Sequence, residues 1–266
     1  YQIDPEDMVF ASVTTNFRTP SEATLFNAYY GGYTYAQANT NLKPEYSVSE
    51  EIGYRYTGDE FTGSITFFDY QFSNRQIATI VGSNLINESV NAGGQTTYGF
   101  DGELGTKPWY GLTPYVSAEW LHSTIDNDLQ VGTDYLPTAG KTAVRSPRVQ
   151  AGLGLKYDNG DFFGNLNVKY VDSQYSTFMN DEKIPSYETV DMGIGYRLPD
   201  IGLRARPEIK LNMINLTGQN YLSGVANPTG TAKGAIGRNG TFISGVSPQY
   251  YLSGGFSMLF TASQAF

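Results

Sequence analysis

Apolar and polar side chains alternate with a period of two along most of this chain of 266 residues. The clearest example is the segment 149–157, in which Val, Ala, Leu and Tyr alternate with Gln, Gly and Lys. The turn signal Asp158-Asn159-Gly160 follows, and the alternation resumes over 162–170. Such alternation is typical of a β-strand with one apolar and one polar face, and the two segments predict a hairpin.

The same pattern predicts ten strands, most of them about nine to twelve residues long. Strands of this length exceed the usual soluble strand and match a tilted strand that crosses a bilayer. The last of them sets Tyr250, Leu252 and Phe260 on one face of a single strand. The ten predicted strands lie near 9–17, 48–56, 61–73, 92–106, 112–125, 149–157, 162–170, 189–197, 209–213 and 250–260.

The segments that connect these strands alternate between short and long. Short links are predicted near 57–60, 107–111, 158–160 and 199–206, and long ones near 19–45, 74–91, 126–145, 176–184 and 222–247. Outer-membrane barrels have short periplasmic turns and long extracellular loops. The alternative is a soluble all-β protein, whose sheets would bury the apolar face in a core. The polar face is rich in Gly, Ser, Thr and Asn, which favours a hydrated barrel interior.

Composition excludes several other classes of protein. No stretch approaches the roughly 18 consecutive apolar residues of a membrane-spanning helix, so a membrane location requires a closed barrel. The formal net charge of −9 argues against nucleic acid as a partner. Without Cys and with His122 as the only His, the chain lacks the ligands for a tight His/Cys metal site. We expect His122 to be a girdle residue beside Trp120, and we expect no enzyme activity.

Several short motifs, in order, resemble those of TonB-dependent outer-membrane receptors. They begin with Phe17-Arg18-Thr19-Pro20, which is similar to the family's F-R-x-P at the top of a strand, and include Leu42-Lys43-Pro44-Glu45 before the next strand. The segment 98–104 resembles the x-x-G-x-E strand, and 212–221, NMINLTGQNY, resembles the N-x-x-N-L-F-D-K-x-Y element near the C-terminus. Ser146-Pro147-Arg148 and 184–187 resemble the starts of later strands.

This resemblance implies an all-β fold, a transmembrane antiparallel barrel of about 22 strands closed around an N-terminal plug domain. The sequence then contains about the last ten strands, as one domain over residues 1–266, and no plug or TonB box is found in it. A free-standing barrel of ten strands is the alternative. The family's chains end in an aromatic residue that the barrel-assembly machinery reads, and the two candidates are Phe260 and Phe266.

Candidate ligand-binding residues lie in two of the predicted long loops. Exposed aromatic rings beside amides can stack on sugars or aromatic chelators; the alternative is that these rings only pack the loops together. The Gly-rich loop 224–245 adds two cations that are suited to an anionic ligand. The acidic segments 126–128 and 180–182 are interpreted as solvated turns rather than Ca²⁺ sites. The candidates are Phe26, Tyr29, Tyr30, Tyr33, Tyr35, Lys233 and Arg238.

The expected function is TonB-energised uptake of a scarce nutrient across the outer membrane of a Gram-negative bacterium. A ferric siderophore is the first expectation, and an oligosaccharide or cobalamin is another large nutrient of the same kind. Expected partners are outer-membrane lipid, lipopolysaccharide, the TonB complex through a plug, and the barrel-assembly machinery. No cofactor is expected. The alternative function is a passive porin-like channel or a structural outer-membrane barrel.

Overall fold

The computed structural model describes residues 1–21, 24, 26–30, 32–81, 86–199 and 206–264, and its regular structure is made of strands. Ten long strands form one antiparallel sheet, and we label them β1 to β10 in chain order. They are β1 Asp7–Arg18, β2 Glu45–Thr57, β3 Phe61–Ser73, β4 Gln95–Thr106, β5 Leu112–Ile125, β6 Val149–Asp158, β7 Phe162–Val171, β8 Tyr187–Arg197, β9 Glu208–Ile214 and β10 Ser257–Ser263.

Each strand of this sheet pairs with the next one along the chain, so the sheet is a meander. The predicted alternation of link lengths is confirmed. All the long links connect the strands at one end of the sheet, and the short links connect them at the other end. We name the long links loop A (19–44), loop B (74–94), loop C (126–148), loop D (172–186) and loop E (215–256). Of the short link 199–206, residues 200–205 lie outside the described residues.

The long loops contain short strands of their own. Loops A and B share a sheet of four strands, whereas loops C, D and E carry separate hairpins. In loops A and B the strands are Ala28–Tyr30, Tyr33–Gln37, Gln76–Val81 and Ile86–Asn91. In loops C and D they are Leu129–Val131, Asp134–Leu136, Gln174–Tyr175 and Lys183–Ile184, and in loop E Leu222–Asn227, Ala235–Ile236, Phe242–Ile243 and Gln249–Leu252.

The prediction of one continuous last strand over 250–260 is wrong. Residues Gln249–Leu252 pair with Leu222–Asn227 inside loop E, whereas β10 begins only at Ser257 and pairs with β9. The two strands are separated by 253–256, which contain Gly254 and Gly255. The alternation of side chains continues across this break, because period-two patterning reports the face of each residue but not its partner strand.

The register of the sheet places apolar side chains together on one face, which we call the outward face. Ile52, Phe67, Phe100 and Trp120 are direct cross-strand neighbours on four successive strands. The ring of Phe100 contacts those of Phe67 and Trp120, with centroids 6.1 Å and 5.9 Å apart. Many of these side chains are exposed in the isolated chain, including Phe67 and Phe100. A row of exposed aromatic rings on regular strands is the surface that a barrel presents to hydrocarbon.

Aromatic rings also mark the two ends of this outward face. At the end with short links, Tyr56 contacts Phe61 and Phe162 contacts Tyr196. At the end with long loops, the rings of Tyr98 and His122 are 5.2 Å apart. The expected place of His122 beside the outward aromatics is therefore confirmed. Such rings form the interfacial girdles of outer-membrane barrels.

The opposite, lumenal face contains three pairs in which a Phe ring covers a Gly on the neighbouring strand. The pairs are Phe10 with Gly53, Phe68 with Gly99 and Phe163 with Gly195, and in each the two residues are direct register partners. A Gly in a strand leaves backbone uncovered, and an aromatic ring across the ladder fills that space. The guanidinium of Arg197 lies over the Phe163 ring at 4.4 Å and holds it in place.

The residues that are most fully buried lie in the loops rather than in the sheet. Their hydrophobic cluster joins Ala92 of loop B, Leu129, Leu136 and Ala143 of loop C, Phe178 of loop D and Ile125 at the end of β5. A sheet with lipid on one side and a lumen on the other has no dry protein core of its own. In the part of the chain described, the hydrophobic core therefore lies among the loops. Within that part, no helix is both long and apolar enough to cross a membrane.

We predict that Gly195→Ala destabilises the sheet by about 1–3 kcal/mol, the usual effect of overpacking. A Cβ at position 195 would lie 2.3 Å from Cζ of Phe163 and would displace the ring. The matched control is Gly154→Ala on the same lumenal face, where the nearest atom to a new Cβ is 3.6 Å away. Urea unfolding in lipid vesicles measures the difference, and equal midpoints for the two variants would contradict this prediction.

Candidate functional site

The five aromatic candidates of loop A lie on or next to its two strands. The side chains of Phe26, Tyr29 and Tyr33 are highly exposed, with Tyr33 80% accessible. The side chains of Tyr30 and Tyr35 lie outside the described residues, although their backbones belong to the two strands. The exposed rings are thus displayed on a sheet above the barrel rather than packed between loops.

Loop A is tied to loop B through backbone pairing. Ala36 and Gln37 pair in parallel with Asn87 and Glu88, which extends the hairpin of loop A into the hairpin of loop B. Within loop A, Oδ1 of Asn27 accepts a hydrogen bond from the backbone N–H of Ala38 at 2.8 Å. Hydrogen bonds in a sheet fix the face from which each side chain of its strands projects.

The motif residue Glu45 anchors these two loops to the sheet. Its carboxylate is buried and accepts hydrogen bonds from Nη1 of Arg75 at 2.8 Å and from the backbone N–H of Gln76 at 2.6 Å. The amide of Gln76 in turn donates to the carbonyl oxygens of Arg18 and Lys43. Because buried charged groups must be paired, this network explains why the motif ends in Glu at the start of β2.

Loops D and E are joined by the carboxylate of Asp181. It accepts hydrogen bonds from the hydroxyl groups of Thr177 at 2.6 Å and Thr231 at 2.8 Å, and from the backbone N–H groups of Ala232 and Lys233. Burial alone would raise the pKa of Asp181, but these hydrogen bonds outweigh burial and lower the pKa to about 2. The backbone of Lys233, one of the two cationic candidates, is therefore fixed.

Loops C and E are joined in the same way by two further carboxylates. Asp134 is buried and accepts hydrogen bonds from the backbone N–H groups of Asn239 and Thr241, which lowers its pKa. Nε of Arg238 lies 2.7 Å from Oδ2 of Asp128. The guanidinium of Arg238 therefore forms an ion pair between loops. The sequence alone predicts a cation that is available to an anionic ligand.

The acidic segments of the loops are more than solvated turns, because two of their carboxylates join one loop to another. The carboxylates of Asp128 and Asp181 are surrounded by N–H and O–H donors, which compete with a metal ion for the same lone pairs. Within the described residues, no group of three or more His, Cys, Asp or Glu side chains is placed to hold a metal ion. The acids act as acceptors that join one loop to the next.

The lumenal face of the sheet carries its own polar surface. A hollow of about 420 Å³ lies over β4 to β7, with Gly152 and Gly154 in its floor. Asp101, Glu103 and Glu119 line one side of it, and Lys169 lines the other. Tyr115 donates to Glu103 at 2.7 Å and Gln150 donates to Glu119 at 3.0 Å. The lumen is therefore hydrated and charged, as expected from the polar half of the alternation.

The remaining candidate residues are the aromatic side chains near the C-terminus. Phe260 lies on the outward face of β10, opposite Leu211 of β9, and is exposed. Phe266 lies outside the described residues.

Sequence reasoning did not identify Glu45, Asp134 or Asp181 as the residues that fix the loops. Glu45 belongs to a recognisable motif, which could have indicated its role. For Asp134 and Asp181, no local sequence pattern distinguishes an acid that joins two loops from an acid in a solvated turn.

Comparison with known proteins gives the same fold and adds a family. The profile of the family described as TonB dependent receptor-like, beta-barrel, matches residues 1–220. The chain is 28% identical over 228 residues to the vitamin B12 transporter of Vibrio vulnificus, which covers 83% of the chain and 32% of that protein. It is 39% identical over 90 residues to the ferrioxamine B receptor of Salmonella typhimurium, which covers 32% of the chain and 12% of the receptor.

Solved structures of low sequence identity share the fold over nearly the whole chain. The siderophore receptor PiuA of Acinetobacter baumannii superposes with a TM-score of 0.70 at 15% identity, covering 98% of this chain and 34% of that one. The ferric yersiniabactin uptake receptor of Yersinia pestis superposes with a TM-score of 0.66 at 18% identity, covering 98% and 35%. The chain thus spans about a third of the length of these proteins.

The fold and the comparisons together define part of an outer-membrane β-barrel. The chain belongs to the TonB-dependent receptor β-barrel family, whose members lie in the outer membrane of Gram-negative bacteria. Its relatives and structural neighbours are receptors and transporters rather than enzymes.

We predict that loops D and E separate in acid because Asp181 becomes protonated. Its folded pKa of about 2 lies below the ordinary value of 3.8. The stability that it contributes is therefore present above about pH 4 and lost as the pH falls toward 2. The protection of the Ala232 and Lys233 amides against hydrogen exchange, relative to their intrinsic rates at each pH, should fall over that range. In Asp181→Asn the exchange should be faster already at pH 7, and a wild-type profile for this variant would contradict the assignment.

Proposed function

We propose that this chain forms part of an active receptor that takes up a ferric siderophore, with energy supplied through TonB. The observation that carries the proposal is the display of Phe26, Tyr29 and Tyr33 on a hydrogen-bonded sheet at the mouth of the barrel. Large flat chelates offer aromatic and amide surfaces that such rings can cover. The relatives named for siderophores support this class of ligand.

The ligand-binding surface comprises the aromatic residues of loop A and, from loop E, Lys233. We assign Tyr30 and Tyr35 to it because they belong to the same two strands. Lys233 keeps its place in the proposal because no carboxylate is paired with its ammonium group among the described residues. Arg238 has a secondary place, since ligand binding through its guanidinium requires the ion pair with Asp128 to open.

We also propose roles for the lumenal acids and for the C-terminal aromatic residues. The row of Asp101, Glu103 and Glu119 is suited to a basic surface of a plug domain within the barrel, through which TonB acts. We propose that Phe260 and Phe266 form the signal for the barrel-assembly machinery. We also propose that the barrel domain extends over residues 1–266, because β10 pairs with β9 beyond the matched region.

The test is the binding of ⁵⁵Fe-ferrioxamine B and of labelled cyanocobalamin to cells that express the full-length protein. Replacing Phe26, Tyr29 and Tyr33 together by Ala should weaken binding of the cognate ligand at least about tenfold, since each buried ring contributes about 0.5–1.5 kcal/mol. Tyr135→Ala is the matched control, because Tyr135 is an exposed loop C ring outside this surface.

Unchanged affinity in the triple variant would show that the rings do not contact the ligand. If cyanocobalamin binds and ferrioxamine B does not, the siderophore class is wrong while the receptor function stands. Surface expression of each variant is checked by its folded mobility in unheated gels, so that a loss of protein is not read as a loss of binding.

A further inference from the structure

The charged side chains of the sheet are divided unequally between its two faces. By register, every Lys and Arg within β1 to β10 lies on the lumenal face, including Lys156, Lys169 and Lys210. The outward register positions carry acids at a few places, such as Glu50 and Asp69, but no cation. This is expected, because a cation on the lipid face destabilises a barrel in proportion to its depth.

Arg148 is the exception at the edge of this outward face. It immediately precedes β6, and its carbonyl oxygen accepts a hydrogen bond from the backbone N–H of Leu121. Its guanidinium lies over the ring of Trp120, 5.9 Å from the ring centroid. Of the cation–π contacts in the described part of the chain, this is the one that involves a ring of the outward apolar row.

The guanidinium of Arg148 is left without an ion-pair partner in the described part of the chain. Arg148 is exposed, and no ion pair or side-chain hydrogen bond involves it among the described residues, whereas Arg75, Arg197, Arg206 and Arg238 all pair with carboxylates. The nearest outward acids by strand order are Asp172, which follows β7 and whose backbone N–H donates to the carbonyl oxygen of Val149, and Glu188 on β8, two strands from β6. Neither carboxylate forms an ion pair with Arg148.

The depth of Arg148 follows from the two Trp residues of the chain. Trp109 pairs with Leu112 at the short-link end of β5, and Leu112 pairs with Tyr157 on the outward face. Trp120 is eight residues further along β5 than Leu112. At about 3.3 Å per residue and a tilt of about 40°, the two levels differ by roughly 20 Å, most of an apolar band roughly 25 Å tall. Trp120 and Arg148 therefore lie at the outer interface.

We propose that Arg148, supported by Trp120, binds a phosphate group of an outer-leaflet glycolipid. An arginine pairs with phosphate through two parallel hydrogen bonds, and its planar group stacks on an aromatic ring at the same time. Trp120 presents its ring to the acyl chains, while Arg148 reaches the headgroup above it. The polar groups of the membrane at this depth are the lipid headgroups.

The test uses the full-length protein, stripped of lipid in detergent and titrated with diphosphoryl lipid A, with bound lipids counted by native mass spectrometry. Arg148→Gln should lose one bound lipid or weaken its binding by roughly tenfold or more, as expected for a charge-assisted hydrogen bond. Trp120→Leu, which keeps the outward face apolar, should weaken the same binding several-fold. Folded mobility in unheated gels confirms that each barrel is intact.

Lys183→Gln is the matched control. Its ammonium group also lies 5.9 Å from an aromatic centroid, that of Tyr175, but both residues belong to the hairpin of loop D. This variant should bind as many lipids as the wild type. The proposal is overturned if Arg148→Gln retains the wild-type number and affinity, or if inorganic phosphate displaces the lipid, which would indicate a site for free phosphate. Because nutrient binding is measured separately, failure of this proposal leaves the proposed function standing.

Discussion

The hydrogen-bond requirement of the backbone in hydrocarbon is the constraint on which this structure depends. With no water in the bilayer core, each N–H and C=O of a spanning strand must find a partner on a neighbouring strand. The antiparallel meander of β1 to β10 meets this requirement between successive strands. It leaves the side chains free to divide by parity, apolar outward and polar inward, and this division produces both the lipid surface and the hydrated lumen.

The loops are stabilised differently from the strands. Above the membrane they are surrounded by water, so they bury Leu136 and Phe178 in a common core and join their backbones through carboxylates such as Asp181 and Asp134. An acid that accepts several N–H groups fixes a loop without regular secondary structure, because it satisfies donors that a turn leaves unpaired. The result is a layer of joined loops on which rings such as Tyr29 and Tyr33 are exposed.

Lipid, lumen and external medium thus meet separate parts of the structure. Outward positions contact lipid, the lumenal acids face the interior, and loop A faces the medium. The segregation of cations to the lumen makes Arg148 unusual, and its position over Trp120 gives that charge a location at the headgroups. The alternation of apolar and polar side chains therefore separates lipid from lumen, and the long loops between the strands face the medium. A charged residue that departs from this alternation marks a place where a partner is expected.

The sequence by itself determined the ten strands, their faces and the ends at which the long loops lie, because period two and link length are local properties of the chain. The place of His122 among outward rings followed from parity alone. Tertiary structure decided the rest. It alone showed that 249–252 pair within loop E, that Arg238 is held by Asp128, and that Asp181 joins two loops. These are contacts between residues far apart in the chain, and local alternation carries no information about which distant partner a side chain meets.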